Sequence, residues 1–496
     1  MTSPAKNSCD LLIIGGGING TAIARDAAGR GLSVVLCEKD DLARHTSSAS
    51  TKLIHGGLRY LEYYEFRLVR EALIEREVLL RSAPHIIWPM RFVLPYDEGQ
   101  RPAWMLRLGL FIYDNLGGRE LLPGTKTVDL RKQPHAGVLE SRLKTGFEYS
   151  DCWVEDARLV TLNAVDAQHH GADIRVGVEV TALDTHADGY QASLSDGSTI
   201  TARGIVNAAG PWVDEVLFKI KRDKNDAGLR LIKGSHIVTK RLFPGDHAYM
   251  FQNADNRIIF AIPYERDFTL IGTTDVPWEA EPGPMDASPE ETDYLCKAAS
   301  EYFEHDISAD DVVWSYAGVR PLYDDKSENA SAVTRDYVLD IDELSEGRPL
   351  LSIYGGKITT SRKLAEHALQ KLARYYPEAR GDWTAKAQLP GGDFPADDFS
   401  GFVAEQTSRY PDVPDDILHH LCRAYGTRIT LVLGSGPEVD LGQHFGAQLT
   451  EAEARYLRAH EWARTSDDVL FRRTKLGLHL TESERAAFAV WFDAIP

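Results

Sequence analysis

Three glycines near the start of the 496-residue chain are spaced to hold the pyrophosphate of a dinucleotide. Gly15, Gly17 and Gly20 form the pattern Gly-x-Gly-x-x-Gly. Because glycine has no side chain, this pattern permits a tight turn and lets backbone N–H groups reach a pyrophosphate at the positive end of a helix. The carboxylate of Glu38 can accept hydrogen bonds from a ribose diol. The dinucleotide contacts expected in this region are Ile14, Gly15, Gly17, Ile18, Asn19, Gly20, Glu38 and Lys39.

The residues around these glycines have the hydrophobic pattern of a βαβ unit. Residues 10–14 form a short apolar run typical of a buried strand, and residues 33–37 form a second one. Between them, residues 18–30 are rich in alanine and end before a glycine, as a helix does. A glycine-rich turn without a ligand is the alternative for the glycines alone. The strand, helix, strand and acidic residue in this order favour the dinucleotide site.

Three later segments supply groups suited to a flavin nucleotide rather than a nicotinamide nucleotide. Residues 46–60 offer hydroxyls for phosphates and then a glycine pair whose backbone can approach a flat ring, and residues 204–212 resemble a strand ending in small residues. Residues 355–357 precede a helix whose positive end can stabilise negative charge on a reduced flavin. For any one of these segments alone, an ordinary turn is the favoured interpretation. The further cofactor contacts expected are Thr46, Ser47, Ser48, Ser50, Thr51, Leu53, His55, Gly56, Gly57, Val180, Ala208, Ala209, Gly210, Trp212, Gly355, Gly356, Lys357, Ile358 and Thr359.

Composition limits the remaining classes of function. The formal net charge of −19 argues against non-specific nucleic-acid binding, which needs a basic surface. The five cysteines lie far apart with no C-x-x-C pair, so we expect neither a zinc site nor a disulfide framework, and a reducing compartment. The first apolar run is too short for a signal peptide, and no apolar stretch approaches the roughly 18 to 20 residues that span a bilayer. Any membrane contact is therefore expected to be peripheral.

Several blocks of sequence together resemble one enzyme family. The blocks are residues 14–20, 46–72, 146–153, 232–238, 271–275, 316–322, 334–336 and 354–360. They resemble the bacterial aerobic, FAD-dependent glycerol-3-phosphate dehydrogenases, which belong to the D-amino-acid-oxidase-like flavoprotein superfamily. The glycine pattern is common to many flavoproteins, whereas residues 52–60 and 318–321 are far more specific. The similarity extends over nearly the whole chain.

The resemblance implies a mixed α/β plus α+β fold in three parts. The first is a discontinuous Rossmann-like FAD-binding domain of residues 1–80, 146–215 and 330–388. The second is an antiparallel-sheet substrate domain of residues 81–145 and 216–329. The third is a helical C-terminal cap domain of residues 389–496.

The resemblance also implies the reaction and the partners. FAD would accept a hydride from C2 of sn-glycerol 3-phosphate, giving dihydroxyacetone phosphate, and the electrons would pass to ubiquinone or menaquinone. The enzyme would be a homodimer, peripheral on the inner face of the bacterial cytoplasmic membrane. No metal and no nucleic acid are expected. The strong negative charge is awkward for docking on an anionic bilayer.

Cationic side chains within the matching blocks are the expected phosphate ligands. Arginine presents a planar fork to phosphate oxygens and stays charged. The substrate-binding residues implied by the resemblance are Arg59, Tyr60, Thr273, Thr274, Arg320, Arg335 and Lys357. For the threonines and the tyrosine, simple packing or turn capping is the alternative.

The residue that takes the hydroxyl proton is left open by the sequence. The residues expected to contact the reacting atoms are His55, His236, Arg320 and Lys357. Arginine is a poor base, whereas imidazole titrates near neutrality, so the two histidines are the better candidates. A hydrogen-bonded core histidine is the alternative for each.

Two stretches are candidates for membrane contact, and a third cationic group has no expected role. The candidates are the helix of residues 104–113 with Arg101 and Arg107, and the cationic residues 219–224; a core helix and a solvated loop are the alternatives. The third group, interpreted as a solvated helix face, is Arg464, Arg472, Arg473 and Lys475.

Three other functions are compatible with the sequence. A related flavin oxidase would pass electrons to O₂ and form hydrogen peroxide. A non-catalytic sensor would bind the dinucleotide without turnover. An NAD-linked dehydrogenase would be colourless and would require added nicotinamide.

Overall fold

A computed structural model describes residues 7–97, 102–186, 189–221, 229–253, 255, 257–323, 336–345 and 347–495. The strands, in chain order, are β1 (Ser8–Ile14), β2 (Val34–Glu38), β3 (Leu53–Ile54), β4 (Ile87–Tyr96), β5 (Lys126–Asp129), β6 (Thr145–Val154), β7 (Asp173–Val176), β8 (Val180–His186), β9 (Gly189–Leu194), β10 (Thr199–Asn207), β11 (Leu229–Lys240), β12 (Ala248–Gln252), β13 (Ile258–Tyr264), β14 (Phe268–Gly272), β15 (Val276–Pro277), β16 (Val312–Tyr323), β17 (Val338–Ser345), β18 (Arg348–Tyr354), β19 (His444–Gly446) and β20 (Leu449–Thr450). The helices are α1 (Ile18–Gly29), α2 (Phe66–Ser82), α3 (Ala103–Leu116), α4 (Asp156–His169), α5 (Val213–Lys221), α6 (Pro289–Ser300), α7 (Ser361–Leu372), α8 (Phe399–Arg409), α9 (Asp415–Tyr425), α10 (Ile429–Leu433), α11 (Glu451–His460) and α12 (Glu482–Ala494).

The first sheet carries the glycine turn at the end of its central strand. Its order is β17-β18-β10-β1-β2-β7, with β8 and β9 attached beside β10. The strands from β18 to β7 run parallel, and β1 lies between β10 and β2. A strand in that position has both faces covered, which is why residues 11–13 are apolar throughout and have no exposed surface. Helices α1, α4 and α7 cover one face.

The second sheet is larger than the first and mostly antiparallel. Its order is β15-β11-β14-β13-β12-β4-β6-β3, with β16 paired to β11 and β5 to β6. Most neighbours are antiparallel, and the long pair β11–β16 sets Ile232 opposite Arg320 and His236 opposite Tyr316. Helix α6 packs on one face, and helices α2 and α3 pack on the other.

The mixed α/β class and the helical C-terminal part expected from the sequence are confirmed. We propose the three-part division given above, because the first sheet is drawn from its FAD-binding segments. Strands β3 and β6 are the exception, since they lie in the second sheet although their residues fall in those segments. Among the described residues, no helix is long and apolar enough to cross a membrane, and no cluster of side chains is suited to a metal ion.

Two segments with a continuous hydrophobic pattern are interrupted where the backbone turns. Residues 60–80 have apolar residues at helical spacing, but they begin as a 3-10 turn and restart as α2 at Phe66, because Tyr64 has a left-handed φ of 59°. Residues 173–183 belong to two strands, β7 and β8, separated by Gly177 with a φ of 71°.

The interpretation as a solvated helix face was wrong for three of the four cationic residues, Arg472, Arg473 and Lys475. Arg473 and Lys475 are almost fully buried, and both Arg472 and Arg473 are paired with Asp41 of the first sheet's loop. Arg464 donates to the carbonyl of Val176 at 2.9 Å. These side chains therefore belong to the contact between the C-terminal part and the rest of the protein.

Candidate functional site

Two connected cavities lie where the carboxyl ends of the first sheet's strands meet the second sheet. The smaller has a volume of about 140 Å³ and is lined by the glycine turn. The larger has a volume of about 1410 Å³ and is lined by residues of the second sheet together with the loops around residues 46–63 and 355–359. The residues that line both are Ile18, Thr46, Ser47, Pro321, Gly355 and Gly356. A long ligand can therefore extend from one cavity into the other.

The glycine turn leaves room for a phosphate at the start of α1. Gly15 has a φ of 111°, and a Cβ there would lie 2.5 Å from the carbonyl oxygen of Ala208. Gly17 precedes α1 in ordinary extended geometry and offers no side-chain cap. The N–H of Ile18 donates to the hydroxyl of Ser47 at 3.0 Å. The other N–H groups of the first turn and the helix dipole make this end suitable for an anion. Gly20 lies outside the cavity lining, because its position serves packing: a Cβ there would lie 1.9 Å from the Gly15 carbonyl oxygen.

The far end of the smaller cavity is suited to a nucleoside. Glu38 is buried, and its carboxylate accepts hydrogen bonds from the N–H of Gly16 at 2.6 Å and from that of Asp40 at 2.8 Å. Burial raises the pKa of Glu38 although these two amides oppose the change. The Lys39 ammonium lies 3.9 Å from the centre of the Trp212 ring. The other expected residues that line this cavity are Ile14, Gly15, Gly17, Asn19, Val180, Ala208, Ala209 and Gly210.

The near part of the larger cavity contains the remaining residues expected to contact the flavin ring. The expected residues that line it are Ser50, Thr51, Leu53, His55, Lys357, Ile358 and Thr359. Asn19 donates to the carbonyl of Gly355 at 3.0 Å, and its own amide oxygen is buried without a protein partner.

Besides Gly20, three expected contacts lie outside the linings of these two cavities. Ser48 lines a third cavity on the other side of the loop. Gly56 packs outward, because its N–H donates to the hydroxyl of Tyr113 at 2.8 Å and a Cβ would meet that hydroxyl and Leu73. Gly57 has a φ of 73°, and a Cβ there would lie 2.4 Å from the ring of Tyr60. The glycine pair therefore shapes the loop and positions Tyr60.

The residues present fit FAD. The N-terminal end of α1 suits a pyrophosphate and the buried Glu38 suits a ribose. The buried amide oxygen of Asn19, which has no protein partner, can accept a hydrogen bond from the cofactor. We propose that the ADP half occupies the smaller cavity and the flavin the near part of the larger one.

Cationic side chains line the larger cavity, and one of them, Lys357, belongs to its proposed flavin part. Arg59 and Arg320 line it as well. Arg320 donates to the carbonyl of Thr274 at 3.0 Å and pairs with the carboxylate of Asp275. The Lys357 ammonium lies 4.0 Å from the centre of the Tyr60 ring, which holds it at the cavity. Arg335 lies outside the described residues.

The two histidines face the same cavity from different elements. His236, on β11, is hydrogen-bonded through Nε2 to the hydroxyl of Thr51 at 2.9 Å and is stacked on Tyr316. Burial lowers its pKa well below the usual value, and the charges of Lys52 and Arg320 lower it further. Burial also lowers the pKa of His55, where Asp151 opposes the change and the Lys357 charge adds to it. Both imidazoles are therefore neutral near pH 7 and able to accept a proton.

The two threonines have different surroundings. Thr273 lines the larger cavity. Thr274 lies outside the lining, because its hydroxyl donates to the buried Glu291 at 2.8 Å and accepts the N–H of Ser235 at 2.9 Å. Thr274 therefore serves the cavity only through its carbonyl, which holds Arg320.

Some residues of the larger cavity were missed as site residues although they lie in the matching blocks. Among them are Tyr63, Gly234 and Asp275. A Cβ at Gly234 would lie 2.8 Å from Arg320 and 2.9 Å from Thr273, so only glycine leaves both in place. The sequence indicated Gly234 only as a glycine within the block 232–238. That it lies beside Arg320 depends on the pairing of β11 with β16.

Two family models together match most of the chain. One, described as FAD dependent oxidoreductase, matches residues 10–362. The other, described as the C-terminal domain of alpha-glycerophosphate oxidase, matches residues 383–493.

The most similar relatives match over nearly their full lengths. The chain is 53% identical over 492 residues to D-erythritol 1-phosphate dehydrogenase of Brucella abortus, covering 98% of each chain. It is 49% identical over 498 residues to glycerol-3-phosphate dehydrogenase of Pseudomonas aeruginosa, covering 99% of this chain and 96% of that one. It is 48% identical over 488 residues to aerobic glycerol-3-phosphate dehydrogenase of Escherichia coli, covering 97% of each chain.

A solved structure of an FAD-containing enzyme is also similar to this chain over nearly its full length. The glycerol-3-phosphate dehydrogenase of Bacillus halodurans complexed with FAD is 28% identical, with a TM-score of 0.74 over 98% of this chain and 94% of that one. The geometry of the two cavities and these similarities agree on the cofactor, which is FAD. The chain belongs to the FAD-dependent oxidoreductase family and carries the C-terminal domain found in alpha-glycerophosphate oxidase.

Proposed function

We propose that this enzyme oxidises sn-glycerol 3-phosphate to dihydroxyacetone phosphate and passes the electrons to a membrane quinone. The observation that carries the proposal is the convergence of Arg59, Arg320 and Lys357 on the cavity next to the proposed flavin position. A phosphate monoester is the natural partner of such a group, because each charge-assisted bond contributes about 1.5–3 kcal/mol. Relatives that bear the name glycerol-3-phosphate dehydrogenase support the same substrate.

In the proposed mechanism the protein binds the phosphate and orients the carbon that is oxidised. FAD, when bound, supplies the acceptor for the hydride from C2. Arg320 and Lys357, together with Arg59, hold the phosphate, so that the neighbouring carbinol is turned toward the ring. Gly234 and Asp275 keep the Arg320 guanidinium at the cavity. A neutral histidine, His236 or His55, takes the hydroxyl proton as the hydride leaves.

A pH profile tests the role of His236. A lowered pKa keeps this imidazole in its proton-accepting form at every pH above that value, so kcat at saturating substrate is expected to stay flat from pH 8 down to about 6.5. Saturation removes the influence of the substrate phosphate's own ionisation. An inflection near 6.5 that disappears in His236→Asn but not in His55→Asn would contradict the lowered pKa.

An exposed apolar surface supports the quinone and membrane parts of the proposal. Helix α3 presents Trp104, Leu108 and Phe111 on one side, with Trp104 64% and Phe111 66% exposed. We call this the α3 surface; it also includes Met105 of α3 and the neighbouring exposed residues Tyr63, Tyr64 and Phe66. Its cationic neighbour Arg107 is described, whereas Arg101 and residues 222–224 lie outside the described residues.

The α3 surface reaches the edge of the larger cavity. Tyr63 belongs to the surface and also lines that cavity. An acceptor dissolved in lipid could therefore approach the flavin from the bilayer side, whatever the net charge of the rest of the protein. The quinone is ubiquinone or menaquinone, the location is the inner face of the cytoplasmic membrane, and a homodimer is part of the same proposal. Peroxide formed in stoichiometric amounts, with no quinone reductase activity, would favour an oxidase instead.

Substituting Trp104 and Phe111 together with glutamine is expected to weaken binding to phospholipid vesicles at least tenfold. Each aromatic side chain that enters a bilayer interface contributes about 1.5–3 kcal/mol. Vesicle flotation measures the loss, and turnover with a water-soluble dye as acceptor should not change. Val490→Gln, at a position 74% exposed on α12, is the matched control. Unchanged flotation of the double variant would rule out the α3 surface.

D-Erythritol 1-phosphate is a second candidate substrate. The relative of that name is 53% identical, compared with 49% for the glycerol-3-phosphate dehydrogenase of Pseudomonas aeruginosa. Both compounds present a secondary alcohol next to a phosphorylated carbon, so the cationic group would serve either one. The ratio of kcat/KM for the two substrates, with the same quinone, decides between them. A value at least tenfold higher for the erythritol compound would replace the first proposal.

A further inference from the structure

The C-terminal part of the chain contacts the loop that lines both cavities. This loop, residues 41–52, contains little regular structure, and its residues line both the smaller and the larger cavity. The segment that contacts it, residues 464–475, includes one turn of π-helix at Asp468–Arg473. Such turns are uncommon and often occur at functional sites. The two segments come from opposite ends of the sequence.

The first contact fixes the beginning of the loop. Arg473 binds the carboxylate of Asp41 through two hydrogen bonds of 2.7 and 2.9 Å, and Arg472 adds a third at 2.6 Å. Arg473 also donates to the carbonyl of Glu461 at 2.9 Å, which holds it within the C-terminal part. The Arg473 side chain has no exposed surface. A buried, bidentate pair of this kind fixes both position and direction.

The second contact fixes the end of the loop. Lys475 pairs with Glu155 at 2.6 Å and lies 4.0 Å from Asp156. Asp156 binds the ammonium of Lys52 at 2.8 Å and the hydroxyl of Ser50 at 2.8 Å. Burial alone would raise the pKa of Glu155, but the Lys475 charge lowers it, so the pair is charged.

The backbone of the loop is held in a conformation that needs support. Ala43 and Lys52 have left-handed φ values of 61° and 58°. Residues other than glycine adopt this region at a cost, and they remain there only when the surroundings hold them. Ala43 lies just after Asp41 of the first contact, and Lys52 itself takes part in the second. The residues between them include Thr46, Ser47 and Thr51 of the cavity walls.

We propose that the C-terminal part acts as a clamp that holds residues 43–51 in the conformation that binds FAD, with Arg473 and Lys475 as its positioning residues. Neither side chain lines either cavity, so each acts through the loop. The clamp gives the C-terminal domain a part in cofactor retention that is independent of which substrate is oxidised.

The test is the dissociation constant of FAD, measured by flavin fluorescence on apoprotein reconstituted with added FAD. Arg473→Met is expected to raise this constant about tenfold or more. Arg473→Lys, which keeps the charge but loses the fork, should give an intermediate value. Arg455→Met changes an exposed arginine of the same domain, whose partners Glu451 and Trp491 both belong to that domain, and should leave the constant unchanged.

A double-mutant cycle separates the clamp from general stability. Asp41→Asn and Arg473→Met remove the same contact, so the double variant should bind FAD no more weakly than the worse single variant. A merely structural contact would lower the melting temperature of the apoprotein without changing FAD affinity of the folded protein. Parental FAD affinity in folded Arg473→Met overturns the proposal. If Arg473→Met does not fold, the FAD dissociation constant is measured in Arg473→Lys and Lys475→Met instead. Parental FAD affinity in both of these variants overturns the proposal.

Discussion

Replacing Arg320 with alanine is expected to raise the KM for glycerol 3-phosphate by roughly 100-fold or more, with the FAD content unchanged. The arginine offers a fork to the phosphate, and losing two charge-assisted bonds of about 1.5–3 kcal/mol each removes at least two powers of ten in affinity. Its guanidinium lines the larger cavity and is held by Asp275 and the Thr274 carbonyl, away from the glycine turn. Steady-state kinetics and the flavin-to-protein absorbance ratio measure the two effects.

Two variants accompany Arg320→Ala. Arg320→Lys keeps the charge without the fork and should lie between the parent and alanine. Arg131→Ala removes an exposed arginine of the second sheet's periphery, paired with Asp129, and should change neither constant. A parental KM in Arg320→Ala would refute the phosphate assignment, and loss of FAD from that variant would place the arginine at the cofactor instead.

Replacing Gly17 with valine is expected to give a colourless apoprotein. Gly17 has a φ of −80°, which any residue can adopt, so the backbone does not require glycine there. Space does: a Cβ would lie 3.1 Å from the hydroxyl of Ser47, and the two further methyl groups of valine would enter the smaller cavity. They would occupy the position where the helix end meets the pyrophosphate. We expect the FAD dissociation constant to rise by about 100-fold or more.

The control for Gly17→Val is Gly436→Val, at an exposed position where a Cβ meets nothing within 4 Å. That variant should remain yellow with the parental amount of FAD. Circular dichroism of both variants shows whether the chain has folded. A yellow, active Gly17→Val protein would mean that the dinucleotide lies elsewhere.

Features that are local in the chain could be predicted from the sequence. The βαβ unit, the glycine turn and the acidic residue lie within residues 10–38, so pattern and spacing were enough. The family resemblance added the cationic residues of the larger cavity, since they lie in short specific blocks. The protein side chains and carbonyls that these cationic residues contact in the fold could not be predicted from short blocks of sequence.

Contacts between distant segments could not be predicted. Asp275 and Gly234 hold Arg320 only because β11 pairs with β16 in one register, which no local pattern specifies. The burial of Arg473 depends on Asp41, its partner from the other end of the chain. A helical pattern shows that a cationic face exists, but it does not show whether that face meets solvent or another domain. The interpretation as a solvated face was wrong for that reason.

The glycine pair at residues 56–57 shows a further limit. Both residues were expected to face the flavin ring, but Gly56 packs against Tyr113 and Leu73, and Gly57 makes room for Tyr60. A glycine in the sequence indicates that another group lies close to the backbone at that position. Whether that group is a ligand or a protein side chain depends on the fold.

The most direct test of the central claim is the absorption spectrum of the purified protein, recorded without oxygen before and after glycerol 3-phosphate is added. We predict a flavin spectrum that is bleached by the substrate and restored by a quinone. Glycerol without the phosphate, at the same concentration, should leave the spectrum unchanged. A flavin that keeps its oxidised spectrum in the presence of saturating glycerol 3-phosphate would contradict the proposed function.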